Sequence, residues 1–233
     1  MLHLWHDLVT FMSFLMLLFS RATDSYGLGI ILLTLLVRGA MFPLYRAQMQ
    51  SMKRMQALQP ELKRIQDRYK DDKQRLAEEQ MRLYKDMNIN PMASCLPMLL
   101  QLPLIYAFYD MLRNFPYNAI PHLGPGFLWL KSLKDADPYY ILPILGGLST
   151  YWQTRISMAL QPGAQAQQMQ MMMYIMPIFM FWIFLKLPSG VAVYWVVANI
   201  VTIGQQYLTV GALGQSPGPA AGEAGVARPK GGK

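Results

Sequence analysis

Apolar residues run along this chain in long stretches, separated by short polar segments and one long charged one. Five stretches, roughly 26–45, 91–112, 138–157, 171–187 and 189–210, each hold about 20 residues, the length an α-helix needs to cross the hydrocarbon core of a bilayer. Several carry helix-disturbing residues: Pro97 and Pro103, Pro143 with Gly146-Gly147, and Pro177. Neighbouring helices can re-satisfy the carbonyls that such breaks free, so membrane helices tolerate them. Leu187-Pro188-Ser189-Gly190 is a short turn, which predicts that the last two spans form an antiparallel hairpin. No alternating apolar–polar segments of the kind that build a spanning β-barrel are visible.

Two further segments break the pattern. Residues 4–21 (LWHDLVTFMSFLMLLFSR) are apolar and aromatic but bracketed by His6, Asp7 and Arg21. They read as an N-terminal interfacial amphipathic helix within 1–25, with a full span as the alternative. A signal peptide would open with positive charge, which is absent here. Residues 46–90 read as a helical hairpin outside the membrane. From Arg46 to Lys85 there are 11 Lys/Arg and six acids. Met49, Met52, Met55, Leu58, Leu62, Ile65 and Tyr69 recur at three- and four-residue steps, a helical stripe. Pro60 should kink or restart the first helix. Asp71-Asp72-Lys73 reads as a turn, and Leu76, Leu83, Tyr84 and Met87 mark a second helix.

Composition agrees with a helical membrane protein. The chain is 53% hydrophobic and 15% charged, against about 25% charged in soluble domains. The net charge of +8 follows membrane topology rather than nucleic-acid binding. Short Lys/Arg-rich loops stay cytoplasmic. That puts the charged hairpin inside, residues 1–25 outside, the 113–137 loop outside and the C-terminus inside. Trp129 and Phe127 in the outer loop suit the headgroup level. Residues 213–233 read as a disordered cytoplasmic tail. The lone Cys95 excludes an intramolecular disulfide. The 19 methionines suit core gap-filling and, less often, surfaces that accept varied apolar partners.

One residue violates the pattern. Arg38 sits inside ILLTLLVRGAMFPL, and a charge at the bilayer centre costs about 2.5–3.5 kcal/mol on insertion scales. At 1.5 Å per residue it lies about 10 Å from the end of its span. Snorkelling is one account, but Arg46 and Arg54 already serve that interface. A buried carboxylate is another, yet Asp110 is the only acid in the predicted spans and falls near the opposite end of the second. Water is the third. Thr34 shares a helix face with Arg38, Asn199 shares one with Thr202, and Gln101, Gln153, Thr154, Gln205 and Gln206 add polar groups on other spans. Four of five spans thus contribute to a hydrated cavity, open to the cytoplasm, where an unpaired cation can attract the acidic or polar tail of an incoming chain.

The segments LLVRGAMFPL, Gln59-Pro60 with DDKQR, LYK–NP–CLPMLLQLPLIYAFY, DPYYILPIL and PSGVAVYWVVANIVTIGQQYL resemble the YidC/Oxa/Alb family of membrane protein insertases. The likeness to its bacterial branch runs from about residue 4 to 212. It implies five transmembrane helices, at 26–45 and within 91–212, around a cytoplasm-open hydrophilic groove. Arg38 matches the family's groove arginine, Thr34 a threonine one turn earlier, Gln153 a groove glutamine of some members, and Tyr194-Trp195 an aromatic pair that contacts substrate. With Gln101, Asn199 and Thr202 these form the expected substrate groove. The resemblance also implies location in the bacterial inner membrane, nascent membrane proteins and the bilayer as partners, a Sec translocon and the ribosome as further partners, and action as a monomer. The large periplasmic domain of proteobacterial members has no counterpart here, which reads as a trimmed or a naturally minimal form.

No phosphate-binding Gly loop, metal-ligand spacing or Ser/His/Asp set is present, so neither an enzyme nor a metal or other cofactor is expected. The rival reading is a small transporter or channel with an Arg-lined cavity. It would need paired broken helices at mid-membrane, and no convincing internal repeat exists. A structural assembly subunit, whose Arg pairs with an acid of another protein, is a third.

Overall fold

The computed structural model describes residues 2–87, 96–159 and 165–214, and within them the chain is helical, with one isolated bridge. Helices α1 (Leu2–Thr23) and α2 (Tyr26–Ala40) come first. The charged region supplies α3 (Phe42–Ala57), α4 (Gln59–Arg68) and α5 (Lys73–Asp86). The rest is α6 (Leu96–Asn114), α7 (Ile141–Ala159), α8 (Gln165–Phe184) and α9 (Ser189–Gly214). The expected start of the second span at Pro91 and the tail beyond Gly214 lie outside the described residues, as do Cys95 and residues 160–164.

The first span is not the single helix 26–45 that its apolar run predicts. α2 stops at Ala40, and α3 sets off from Phe42 at 52° to it. Pro43 is the cause: it has no N–H to offer the Gly39 carbonyl, so the α2 ladder cannot run through it. The Met41 N–H closes α2 on the carbonyls of Gly39 and Val37. Arg38 therefore occupies the last turn of α2, one turn nearer a helix end than the unbroken reading places it.

In the charged region the break falls at Leu58, and Pro60 sits in the first turn of α4, where a missing N–H costs nothing. Asp72 caps α5 by accepting from the Arg75 N–H at 3.0 Å. The ion pairs here, Arg64–Glu61, Lys70–Asp67 and Arg75–Asp72, are all exposed i, i+3 pairs. Such pairs add little stability each. α4 packs on α5, with Leu62 buried.

α1 is an integral part of the bundle. It lies against α2 and α6, with Met12, Met16 and Ser20 buried at four-residue steps. Phe11, Phe14 and Leu18 remain exposed on its other face. The Trp5 indole N–H reaches the Asp110 carboxylate at 3.3 Å, and its ring lies 5.4 Å from that of Tyr106. Asp110 is thus engaged by α1 and by Asn114, as expected for an acid remote from Arg38.

The last two helices differ from the expected hairpin. The main neighbours of α9 are α7, α2 and α6, while α8 packs chiefly on α7. The chain between α8 and α9 is tied instead to the 115–140 segment: Ser189 N–H bonds the Asp135 carbonyl at 2.8 Å and Gly190 N–H that of Leu133 at 3.0 Å. α7 and α8 meet at Gly146-Gly147; a carbon added at Gly146 would lie 2.6 Å from the Phe184 ring.

Residues 115–140 form a cap over one end of the bundle. Tyr26, Phe115 and Tyr117 pack edge to face, and the Tyr26 hydroxyl bonds the Tyr117 carbonyl at 2.8 Å. Burial, with Tyr26 alongside, raises the Tyr117 hydroxyl above the ordinary phenol range. Asp137 is buried and organises the entry to α7: it accepts from the N–H groups of Leu142 (2.7 Å) and Tyr139 (3.0 Å) and from the Trp129 indole (3.2 Å). Trp129 and Phe127 are both half-buried, Trp129 held by Asp137 and Phe127 packed on the bare face of Gly27.

By length and composition, one helix among the described residues, Ser189–Thr209, is long and apolar enough to cross a membrane, and α2 with α3 makes a second, bent candidate. Proline, glutamine, threonine and tyrosine dilute the hydropathy of α6, α7 and α8. Even so, large apolar side chains stand exposed on several helices: Leu35 and Leu36 on α2, Leu102 and Tyr106 on α6, Leu148 and Trp152 on α7, Ile178 and Trp182 on α8, Ile200 and Leu208 on α9. Apolar surface of that extent marks a membrane or partner-binding surface.

Glycine substitutions separate close packing from open helix. Gly27→Ala, whose new carbon would overlap the Phe127 ring, is expected to lower the melting temperature in detergent. Gly204→Ala, with nothing within 4 Å, should leave it unchanged or raise it, since alanine is favoured over glycine in a helix by about 0.5–1 kcal/mol. Asp137→Ala strands a part-buried indole N–H and uncaps α7, so it should cost about 2 kcal/mol in thermal or denaturant unfolding.

Candidate functional site

Arg38 projects from the last turn of α2 toward α6 and α9. Its guanidinium donates to Gln101 Oε1 at 3.1 Å, and Gln101 Nε2 donates to the Tyr194 hydroxyl at 2.9 Å. The Tyr194 ring stacks on Phe108 with centroids 3.8 Å apart, which fixes the hydroxyl at the end of the chain. The Arg38 carbonyl is one of those freed where α2 breaks, and Gln205 Nε2 donates to it at 3.2 Å. One amide side chain thus holds the guanidinium and another the backbone of the same residue. Among the described residues Arg38 has no carboxylate partner.

Thr34, one turn before Arg38, is fully buried and donates to the Ile30 carbonyl at 2.7 Å. Thr202 is buried likewise and donates to the Ala198 carbonyl at 2.8 Å. Both hydroxyls donate within their own helix and keep their acceptor lone pairs.

A second polar seam joins α7 to α9. Asn199 Nδ2 donates to Ser149 Oγ at 3.1 Å and Thr150 Oγ1 at 3.2 Å, and the Trp195 indole N–H donates to Thr150 Oγ1 at 2.9 Å. One to two turns on, Gln206 Nε2 donates to Ser157 Oγ at 2.6 Å. Gln153 is half-buried and lies on the same α7 face as Ser149 and Ser157 by four-residue spacing. The expected groove residues therefore fall into two groups. Arg38, Gln101 and Tyr194 form one hydrogen-bonded chain; Trp195 and Asn199, with Gln153 nearby, belong to the α7 seam. The adjacent aromatics Tyr194 and Trp195 face different helices because successive helical residues point about 100° apart.

At the far end of the first group the polar groups are incompletely paired. The Tyr45 hydroxyl in α3 lies beside Gln206; it, Gln206 Oε1 and Thr209 Oγ1 are buried without a well-formed hydrogen bond among the described residues. Buried polar atoms of this kind are uncommon and mark strain or a functional joint.

Comparisons with known proteins give the family of the chain. The model of the family described as 60Kd inner membrane protein matches residues 18–214. This chain belongs to that family. Its relatives include a Fusobacterium nucleatum protein named membrane protein insertase YidC, 37% identical over 89% of this chain and 97% of the relative. A Haemophilus influenzae protein of the same name is 40% identical over 79% of this chain and 33% of its own length. The chain thus spans nearly all of one relative and about a third of the other. Among solved structures, a crystal structure of an active YidC insertase with its first transmembrane domain resolved matches with a TM-score of 0.65. There the identity is 27%, over 88% of this chain and 46% of that one.

For this 60Kd-family member, sequence reasoning found all three members of the Arg38 chain, Arg38, Gln101 and Tyr194, but missed Ser149, Thr150 and Ser157 as seam partners. Their three- and four-residue spacing around Gln153 was the available signal. Tyr45 was read as a span end, and nothing in the pattern marked it as a buried hydroxyl.

Two substitutions test the pairing. Gln101→Leu leaves the guanidinium without its acceptor and should lower stability by about 1–3 kcal/mol. Tyr45→Phe removes a buried hydroxyl with no well-formed hydrogen bond among the described residues and should be neutral or stabilising, with both effects read by thermal unfolding in one detergent.

Proposed function

We propose that this chain is a membrane protein insertase and chaperone of the bacterial inner membrane. It receives the polar segment of a nascent membrane protein at Arg38 and passes the apolar segment into lipid. The observation that carries this reading is Arg38 itself: a guanidinium among apolar helices, held by Gln101 while Gln205 takes the backbone carbonyl of the same residue, and free of any described carboxylate. Membership of a family whose members are named insertases supports it.

In this reading α2, α6, α7, α8 and α9 cross the membrane, α1 lies at the outer interface, and α3–α5 with the C-terminus are cytoplasmic. The mechanism is physical. A polar tail entering hydrocarbon loses its hydration, and a preoriented cation with amide neighbours replaces part of it, lowering the barrier to crossing. Exposed apolar side chains on α6, α8 and α9 then offer the substrate's own span a path along the protein surface. No covalent bond changes. The chain works alone or with a Sec translocon, with the ribosome as a further partner.

The test uses proteoliposomes holding only the purified chain and a short single-span substrate with an acidic N-terminal tail. Protease protection of that tail measures insertion. Wild type should protect it above empty vesicles, Arg38→Lys should retain most of the activity, and Arg38→Ala should lose most of it. Equal protection by wild type and Arg38→Ala would contradict the assigned role of Arg38.

A further inference from the structure

Two large residues in the cap stand in the left-handed backbone region, Leu128 at φ 52° and Tyr140 at φ 59°. Glycine or asparagine would adopt this conformation at little cost; a leucine or tyrosine does so under strain. Strain of this kind persists where the surroundings over-determine it, and it concentrates at functional positions. Here the surroundings are explicit. Phe127 and Leu130 exchange both backbone hydrogen bonds, at 3.0 and 2.8 Å, leaving Leu128-Trp129 as a two-residue turn. Phe127 is pinned on Gly27, and Trp129 is held by Asp137.

Both residues, and Tyr139 beside Tyr140, are exposed. Leu128 is 75% exposed, Tyr139 62% and Tyr140 56%. In water a leucine gains nothing by being held out in this way. Tyr140 leads directly into the exposed apolar flank of α7, Ile141, Ile144, Leu145 and Leu148, so the surface is continuous with the one assigned to lipid. Lys131 and Lys134 are exposed beside the turn. Apolar tips with tyrosines and lysines around them are the composition of a membrane interface.

We propose that the cap is an outer-leaflet anchor: the Leu128 turn and the Tyr139-Tyr140 corner insert into the headgroup–acyl boundary, with Lys131 and Lys134 at the phosphates. The proposal rests on the reading that α6 and α7 cross the membrane. It adds that the loop joining them dips into the bilayer. An anchored cap would hold the outer ends of α2, α7 and α9 at a set depth, since Gly27, Asp137 and Ser189 all tie to it.

Spin labels at single cysteines in a Cys95→Ser background test this. Leu128→Cys, Tyr140→Cys, Ile144→Cys and Asn118→Cys are reconstituted in vesicles of mixed zwitterionic and anionic phospholipid. The accessibility of each label to oxygen and to a water-soluble nickel chelate is then measured. Folding is checked by a monodisperse profile in detergent, and Leu128→Asn, which suits the left-handed backbone, should melt no lower than the parent. The expected result is that labels at 128 and 140 favour oxygen, as at 144, while 118 favours nickel. Labels at 128 and 140 that match 118 while 144 stays in lipid would overturn the anchor alone. A water-exposed 144 would overturn the spanning reading with it. Shielding of 128 that appears only when another protein is added would also overturn the proposal, in favour of a protein partner.

Discussion

A guanidinium with an amide partner and no described carboxylate is the interaction on which the rest of this structure depends. Arg38 can occupy its place only because α2 ends beside it. Pro43 stops the α2 ladder, the bend into α3 frees the last carbonyls, and Gln205 from α9 takes the Arg38 carbonyl at 3.2 Å. Gln101 from α6 takes the guanidinium at 3.1 Å. Three elements thus converge on one residue. An Asp or Glu in place of Gln101 would neutralise the charge within the fold; a neutral amide orients it and leaves the charge available.

The α7–α9 seam is a contrasting use of polar residues in an apolar bundle. Asn199, Thr150, Ser149 and Trp195 bond one another and so act as an interhelical fastening. Interhelical hydrogen bonds of this type in membrane proteins contribute about 0.6 kcal/mol on average. Below the seam, Tyr45, Gln206 and Thr209 leave polar atoms unpaired among the described residues where α3 meets α9. The fold is therefore tightly fastened on the α7 side and poorly satisfied at the α3 junction.

Much of this was legible in the sequence. The apolar runs located α2, α6, α7, α8 and α9, the three- and four-residue steps located the charged helices, and Arg38 stood out as the anomaly. What escaped was geometry set by pairing across distance. The break at Met41 required weighing Pro43 against a strong apolar run. The packing of α8 on α7 rather than α9 depends on Gly146-Gly147 accepting Phe184 and the Pro177 backbone, which no pattern within α8 or α9 records. Tyr194 and Trp195 looked like one aromatic pair, and only the placement of α6 and α7 on different sides of α9 separates their roles. The hold on Trp129 comes from Asp137, eight residues on, whose buried carboxylate gathers three donors.

The proposed function requires that water continuous with the cytoplasm reach Arg38 within the bundle. Thiol accessibility tests it most directly. Arg38→Cys in a Cys95→Ser background, placed in sealed vesicles of known orientation, is treated with a membrane-impermeant reagent that reacts with the thiolate, a species that needs water to form. The account predicts labelling from the cytoplasmic face and none from the outer face. A thiol that stays unlabelled from both faces, or labels only from the outer one, would contradict it.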